Sequence, residues 1–262
     1  MVTATQWTTL FNRFVTIANQ TNTSITAIVN PVVGETIAVK NNFSTNLTSA
    51  FTNRNNAVGV GSTITANGVA TRSTAWITSL TATHTITFAD ANSARYFFNA
   101  GGRITWTGAR SGGTASSKNT SWTDLLTACG TINTTTGTST QVIAGASYTG
   151  TTKTGGSGSP ATLLTTTGFY DLTISNQEVF KQLGATYLYT TNFVSINILA
   201  NAAAGSATTI TLTVLFDDSH NTQGDEDVDG TLTSTVTLVQ PSTTYLSNTW
   251  GTPTIASSIT GS

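Results

Sequence analysis

The densest group of chemically capable side chains in this sequence is FDDSHNTQGDEDVDG, where six of the eleven acids, Asp217, Asp218, Asp225, Glu226, Asp227 and Asp229, fall within thirteen residues. Asp225, Asp227 and Asp229, followed by Gly230, have the D-x-D-x-D-G spacing of many calcium loops. In such loops oxygens at alternate positions wrap a hard cation and glycine permits the turn. The twelfth position from Asp225 is Val236, and the flanking segments are predicted strands, so the loop departs from an EF-hand. The plainer reading of the same residues, and the one preferred, is a solvated hairpin loop, its like charges keeping a sheet edge from pairing with another chain. Apart from this calcium reading, no cofactor is expected.

The remaining candidates are sparse. His84 and His220 are the two histidines and Cys129 the one cysteine. His84 falls on the apolar face of a predicted strand, the place of a hydrogen-bonded core histidine. Cys129 precedes Gly130 with nothing to identify a base or an orienting group for a catalytic thiol. No G-x-S-x-G elbow, phosphate loop, H-E-x-x-H or paired C-x-x-C occurs. Glycoside hydrolysis needs two carboxylates flanking a cleft, yet the first 154 residues hold only Glu35, Asp90 and Asp124. The expectation is therefore not an enzyme. Trp76, Trp122, Trp250 and Tyr148 remain as platforms on which a sugar could stack, with core packing as the alternative.

Composition narrows the class further. Of 262 residues only 8% are charged, against roughly 25% in an ordinary soluble domain; sixty are threonine. With ten cations and a net charge of −1 there is little counterion-release energy for a phosphate backbone, so no nucleic acid is expected. No apolar run approaches the roughly 18 residues of a membrane span, and a lone cysteine forms no internal disulfide. The few charges are segregated. Residues up to Thr154 carry nine bases and three acids (+6), and those from Gly155 onward carry one base and eight acids (−7). In a repeating assembly the basic half of one copy would meet the acidic half of the next.

The elements expected to carry these residues are short helices on β-structure. Thr3 and Gln6 have capping-box spacing, and Trp7, Leu10, Phe11, Phe14 and Ala18 follow at helical period. The amino terminus thus reads as an amphipathic helix rather than a targeting segment. Further helices are predicted from Asp90 to Gly101-Gly102, from Ser121 and Asp124 to Gly130, and from Ser175 and Glu178 to Gly184. Strands show the period of two: His84, Ile86, Phe88; Ile104, Trp106; Ile210, Leu212, Val214; and Leu232, Val236, Leu238 alternate with threonine. The predicted class is mainly β, an antiparallel β-sandwich with a few short helices. Residues 1–22 form the N-terminal helix and 23–262 the sandwich. Gly108–Asn119 and Gly145–Pro160 read as exposed loops, with a possible subdivision near 145–160.

The segments ITFADANSARYFFNAGGRITWTGAR and PSTTYLSNTWGTPTI, with VTATQWTTLFNRF at the amino terminus, resemble virion structural proteins of tailed bacteriophages of marine and freshwater origin, often tail- or fibre-associated. The resemblance implies a non-enzymatic component of the tail, baseplate or fibre region of an extracellular particle. It would act through interfaces with copies of itself and with other virion proteins. The apolar face Trp7, Leu10, Phe11 and Phe14 is the expected docking element. The alternatives are a capsid decoration or self-assembling filament subunit, and a module that binds host surface glycans. Poverty in charge and in oxidisable sulfur suits a protein that persists outside a cell.

Overall fold

The computed structural model describes residues 3–29, 41–63, 67–220, 226–247 and 250–261. The alternation of apolar and threonine residues is realised as two antiparallel six-stranded sheets. In the first, the spatial order is Thr162–Leu163, Gln177–Leu183, Phe193–Ala200, Thr209–Asp217, Ser79–Thr87 and Thr254–Gly261. In the second, Val60–Thr63 and Gly68–Arg72 both pair with Thr231–Pro241, which is followed by Arg103–Ser111, Thr131–Thr134 and Thr151–Thr154. The inner faces bury Leu80, Ala82, Ile86, Val214 and Phe216 from one sheet and Ile104, Trp106, Leu232, Val236 and Leu238 from the other. Burying one face of each sheet leaves the threonines between solvent and core, where a β-branched side chain packs on the pleat and its hydroxyl stays hydrated. A small third sheet, Asn56–Ala57, Gln141–Ile143 and Ala146–Tyr148, lies apart.

Among the described residues four α-helices accompany the sheets: α1 (Ala4–Gln20), α2 (Asn41–Thr52), α3 (Ala91–Asn99) and α4 (Ser117–Cys129). The Thr3–Gln6 capping box is present on α1, and the Asp90 carboxylate accepts from the Ser93 N–H to start α3. α3 contributes Ala94, Phe97 and Phe98 to the main core, where Phe98 stacks on Phe169 at 4.5 Å. α4 packs against Arg103–Ser111 of the second sheet and against Gln177–Leu183 and Phe193–Ala200 of the first. Gly130 ends it at φ 61°, where a Cβ would stand 2.6 Å from the Thr154 carbonyl oxygen.

Several expectations are corrected. Residues 175–184 are not a helix but contain strand Gln177–Leu183. A register shift between Glu178 and Phe180 turns both Val179 and Phe180 inward, and that bulge erased the alternation that would have marked a strand. α4 starts earlier than Ser121: the Ser116 hydroxyl caps it by accepting from the Asn119 N–H. Gly108–Asn119 is therefore the end of one strand and the start of a helix rather than an open loop. Within Gly145–Pro160 lie strands Ala146–Tyr148 and Thr151–Thr154, the latter paired with Thr131–Thr134, and the main core draws residues from both sides of this segment. The acidic stretch is not a hairpin within one sheet; it crosses from Thr209–Asp217 in the first sheet to Thr231–Pro241 in the second.

One polar bridge joins the sheets through the core. His84 is fully buried, with Nδ1 2.8 Å from Ser257 Oγ and Nε2 2.8 Å from Ser234 Oγ, and the Trp106 indole N–H donates to that same Ser234 oxygen. Burial lowers its pKa from 6.5 to about 4, so between those values the unfolded chain binds a proton that the folded chain refuses. The stability this neutral ring contributes is complete above pH 6.5 and is lost as pH falls toward 4, by about 3 kcal/mol at the lower limit. Urea unfolding of wild type and His84→Gln across this window is expected to show the loss only in wild type. Parallel curves for the two proteins would contradict it.

Candidate functional site

The first turn of α4 carries the most unusual chemistry of the fold. Lys118 is fully buried, and its Nζ lies 2.5 Å from Asp218 Oδ2, which is equally buried. A cation at this position opposes the helix dipole as well as the dry surroundings, so the anion is what holds it there. Asp218 arrives by register. Phe193 pairs with Asp217 across two neighbouring strands, which sets Asn192, one residue before the first strand, beside Asp218, one residue after the second. The Asn192 amide Nδ2 donates to Asp218 Oδ1 at 2.6 Å, and Asn192 Oδ1 accepts from the His220 backbone N–H at 2.8 Å. The backbone is pinned around these groups: the Asp218 N–H donates to Thr78 O, and the Gly184 N–H donates to Asn192 O. The Tyr189 ring closes the site, 6.0 Å from Lys118 Nζ and edge-on to His220 at 5.2 Å. An amine, a carboxylate and a primary amide thus stand in a chain of close polar contacts inside an apolar sandwich.

The next residue of α4 ties down the far end of the same acidic stretch. Asn119 Nδ2 donates to Asp229 Oδ1, and Asn119 Oδ1 accepts from the Asp229 N–H at 3.1 Å. The Asp229 carboxylate also accepts from the Thr114 N–H and hydroxyl and from Arg110 at 3.3 Å. These donors, the Thr114 N–H foremost, hold the carboxyl below the usual carboxylate range. Of the calcium-spaced residues, Asp227 is exposed, Asp229 is in this knot, and Asp225 lies outside the described residues. A cation at Asp229 would have to compete with Arg110 and three polar donors. Among the described residues no group of three His, Cys, Asp or Glu side chains is placed to hold a metal. The segregated halves of the charge meet within the chain here: Arg110–Asp229 and Lys118–Asp218 both join a basic-half residue to an acidic-half one.

The expected docking residues divide. Phe11 and Phe14 are buried, and both pack on Phe43 of α2 at 5.5 and 5.6 Å; Trp7 is half-buried against Phe11, and Leu10 is exposed. Sequence reasoning overlooked α2 because NNFSTNLTSAFT is rich in poor helix formers; its hydroxyls bond back one turn, as Thr48 to Ser44 O and Ser49 to Thr45 O. None of the buried residues of α1 and α2 belongs to the main core, which begins at Ala70. The seam toward the sandwich holds a cleft of about 310 Å³ bordered by Ile17, Gln20, Tyr96, Ala100, Leu246 and Trp250. Leu10, Ile17, Leu47 and Phe51 face solvent, Phe51 to 65%.

Trp76, Trp122, Trp250 and Tyr148 are all interior, and Trp76 packs edge-on to Trp122 at 4.8 Å, so none of them is a stacking platform for a sugar. Cys129 is buried, and desolvation pushes its thiol up to about 12, far from the range of a nucleophilic thiolate. Asn119→Ala is expected to cost about 1–3 kcal/mol in urea unfolding, because it removes a buried amide and its hydrogen bonds to Asp229 and Thr114 at the end of the crossover. It should also speed hydrogen exchange at Thr114 and Asp229, whereas a change within experimental error would show that the knot is incidental. No protein-family model, no curated protein and no solved structure matches this chain.

Proposed function

We propose that the protein is a non-enzymatic structural subunit of a bacteriophage virion, placed in the tail, baseplate or fibre region and working through interfaces with its own copies and with neighbouring virion proteins. The observation that carries this reading is the helical layer. α1 and α2 share an aromatic cluster of their own outside the sandwich core, and they leave Leu10, Ile17, Leu47 and Phe51 uncovered. An apolar face on a layer that the sandwich does not need for its own core is suited to contact with another subunit. The sequence resemblance supplies the virion setting. The buried thiol and the low charge suit long residence outside a cell.

Light scattering of the full chain is expected to show a discrete oligomer that is indifferent to salt. A chain starting at Ile25 should retain the thermal transition of the sandwich and run as a smaller species. The double variant Leu10→Asp, Leu47→Asp should do the same with stability changed by no more than about 0.5 kcal/mol, since both positions are exposed. An unfolded truncation product, or an oligomer that survives both changes, would overturn the reading.

A further inference from the structure

From the contacts around Asp218 we infer a second chemistry, independent of any interface: Lys118 and Asn192 become joined by an amide bond between Lys118 Nζ and Asn192 Cγ, formed within the folded chain, with Asp218 carrying the protons and ammonia leaving. Three observations carry it. Asp218 touches the nucleophile with one oxygen, Oδ2 2.5 Å from Nζ, and the leaving group with the other, Oδ1 2.6 Å from Asn192 Nδ2. The carbonyl oxygen that would become an oxyanion already accepts from the His220 backbone N–H at 2.8 Å. Lys118, Asn192 and Asp218 are all essentially excluded from water, so the amide's competitor, hydrolysis, is suppressed and the reacting groups are held together without bulk solvent to reorganise.

The steps balance without any outside reagent. The Lys118 ammonium passes a proton to Asp218 Oδ2, which removes two opposite charges from a dry site at once. The neutral amine then attacks Cγ, its lone pair forming the new C–N bond while the carbonyl pair moves onto Asn192 Oδ1 beside the His220 N–H. Asp218 delivers its proton to Nδ2. The oxyanion pair returns, the Cγ–Nδ2 bond breaks, and ammonia departs. The surplus proton on the new amide nitrogen returns through Asp218 to the ammonia, which leaves as ammonium. One ammonium and one primary amide give one secondary amide and one ammonium ion; Asp218 is regenerated and nothing is oxidised or reduced.

The product would staple the first turn of α4 to the end of strand Phe193–Ala200. The chain's single cysteine cannot supply such a link. Denaturing intact-mass spectrometry of purified protein is expected to read one ammonia below the sequence mass. The tryptic map should contain residues 111–153, uncut at Lys118, joined to residues 182–262. Lys118→Arg and Asn192→Ala should restore the full mass and the separate peptides. Because the wild-type map is read on denatured protein, the result does not depend on the variants folding. Wild type at its full sequence mass, a loss of water instead of ammonia, or an ammonia loss that persists in Lys118→Arg would each overturn the inference.

Discussion

A lysine that keeps its charge in a dry protein interior needs an anion beside it, and this constraint organises the middle of the molecule. Lys118 enters on the first turn of a helix that touches both sheets, and Asp218 meets it at the end of a central strand. Asn119, the next residue, grips Asp229 by both its backbone and its carboxylate. The acidic crossover between the sheets is therefore fastened at both described ends to two consecutive residues of α4. Taking away one partner of the buried pair would leave an uncompensated charge, at a cost of about 3–5 kcal/mol. That dependence makes the first turn of α4 a keystone for the strand ends, the Tyr189 segment and the Thr114 turn together.

Around that keystone the sandwich is conventional in its physics. Apolar residues at every second position form one core, and threonines shield it from water. His84 adds a polar bridge between the sheets whose neutral ring ties two serines and, through one of them, a tryptophan. Buried polar groups satisfied in this way help fix the strand register, because a slip by one residue would turn these side chains out of the core and a slip by two would set the imidazole opposite Leu232 or Val236 in place of Ser234. The helical layer at the amino terminus differs. It packs on its own aromatic residues, contributes nothing to the main core among the described residues, and meets the sandwich across a cleft.

How much of this could be read from the residues depended on how local the determining interaction is. The alternation at residues 210–214 and 232–238, the capping box at Thr3 and Gln6, and the Asp90 cap are set by near neighbours, and all appear in the structure. The strand Gln177–Leu183 escaped because a bulge breaks its period, and α2 escaped because its threonines and asparagines disguise a helix. The chemistry around Lys118 was illegible for another reason. Asn192 and Asp218 become neighbours only through the 193-to-217 strand register, and Lys118 joins them only through helix packing. In the sequence Asp218 is one acid in a crowded run, and neither Lys118 nor Asn192 carries a motif. The calcium-like spacing, by contrast, was conspicuous, yet the structure spends Asp229 on Thr114, Asn119 and Arg110.

The central claim is that the sandwich and α4 form one cooperative unit around the Lys118–Asp218 pair while α1 and α2 are a separately stabilised layer. Native-state hydrogen exchange, resolved by peptide, tests it most directly. The account predicts the slowest exchange in strands Ser79–Thr87, Thr209–Asp217 and Thr231–Pro241 together with the first turn of α4, at one common opening free energy, with α1 and α2 opening at a lower one. Exchange of α1 and α2 in step with the core, or an α4 that opens alone before the strands it joins, would contradict it.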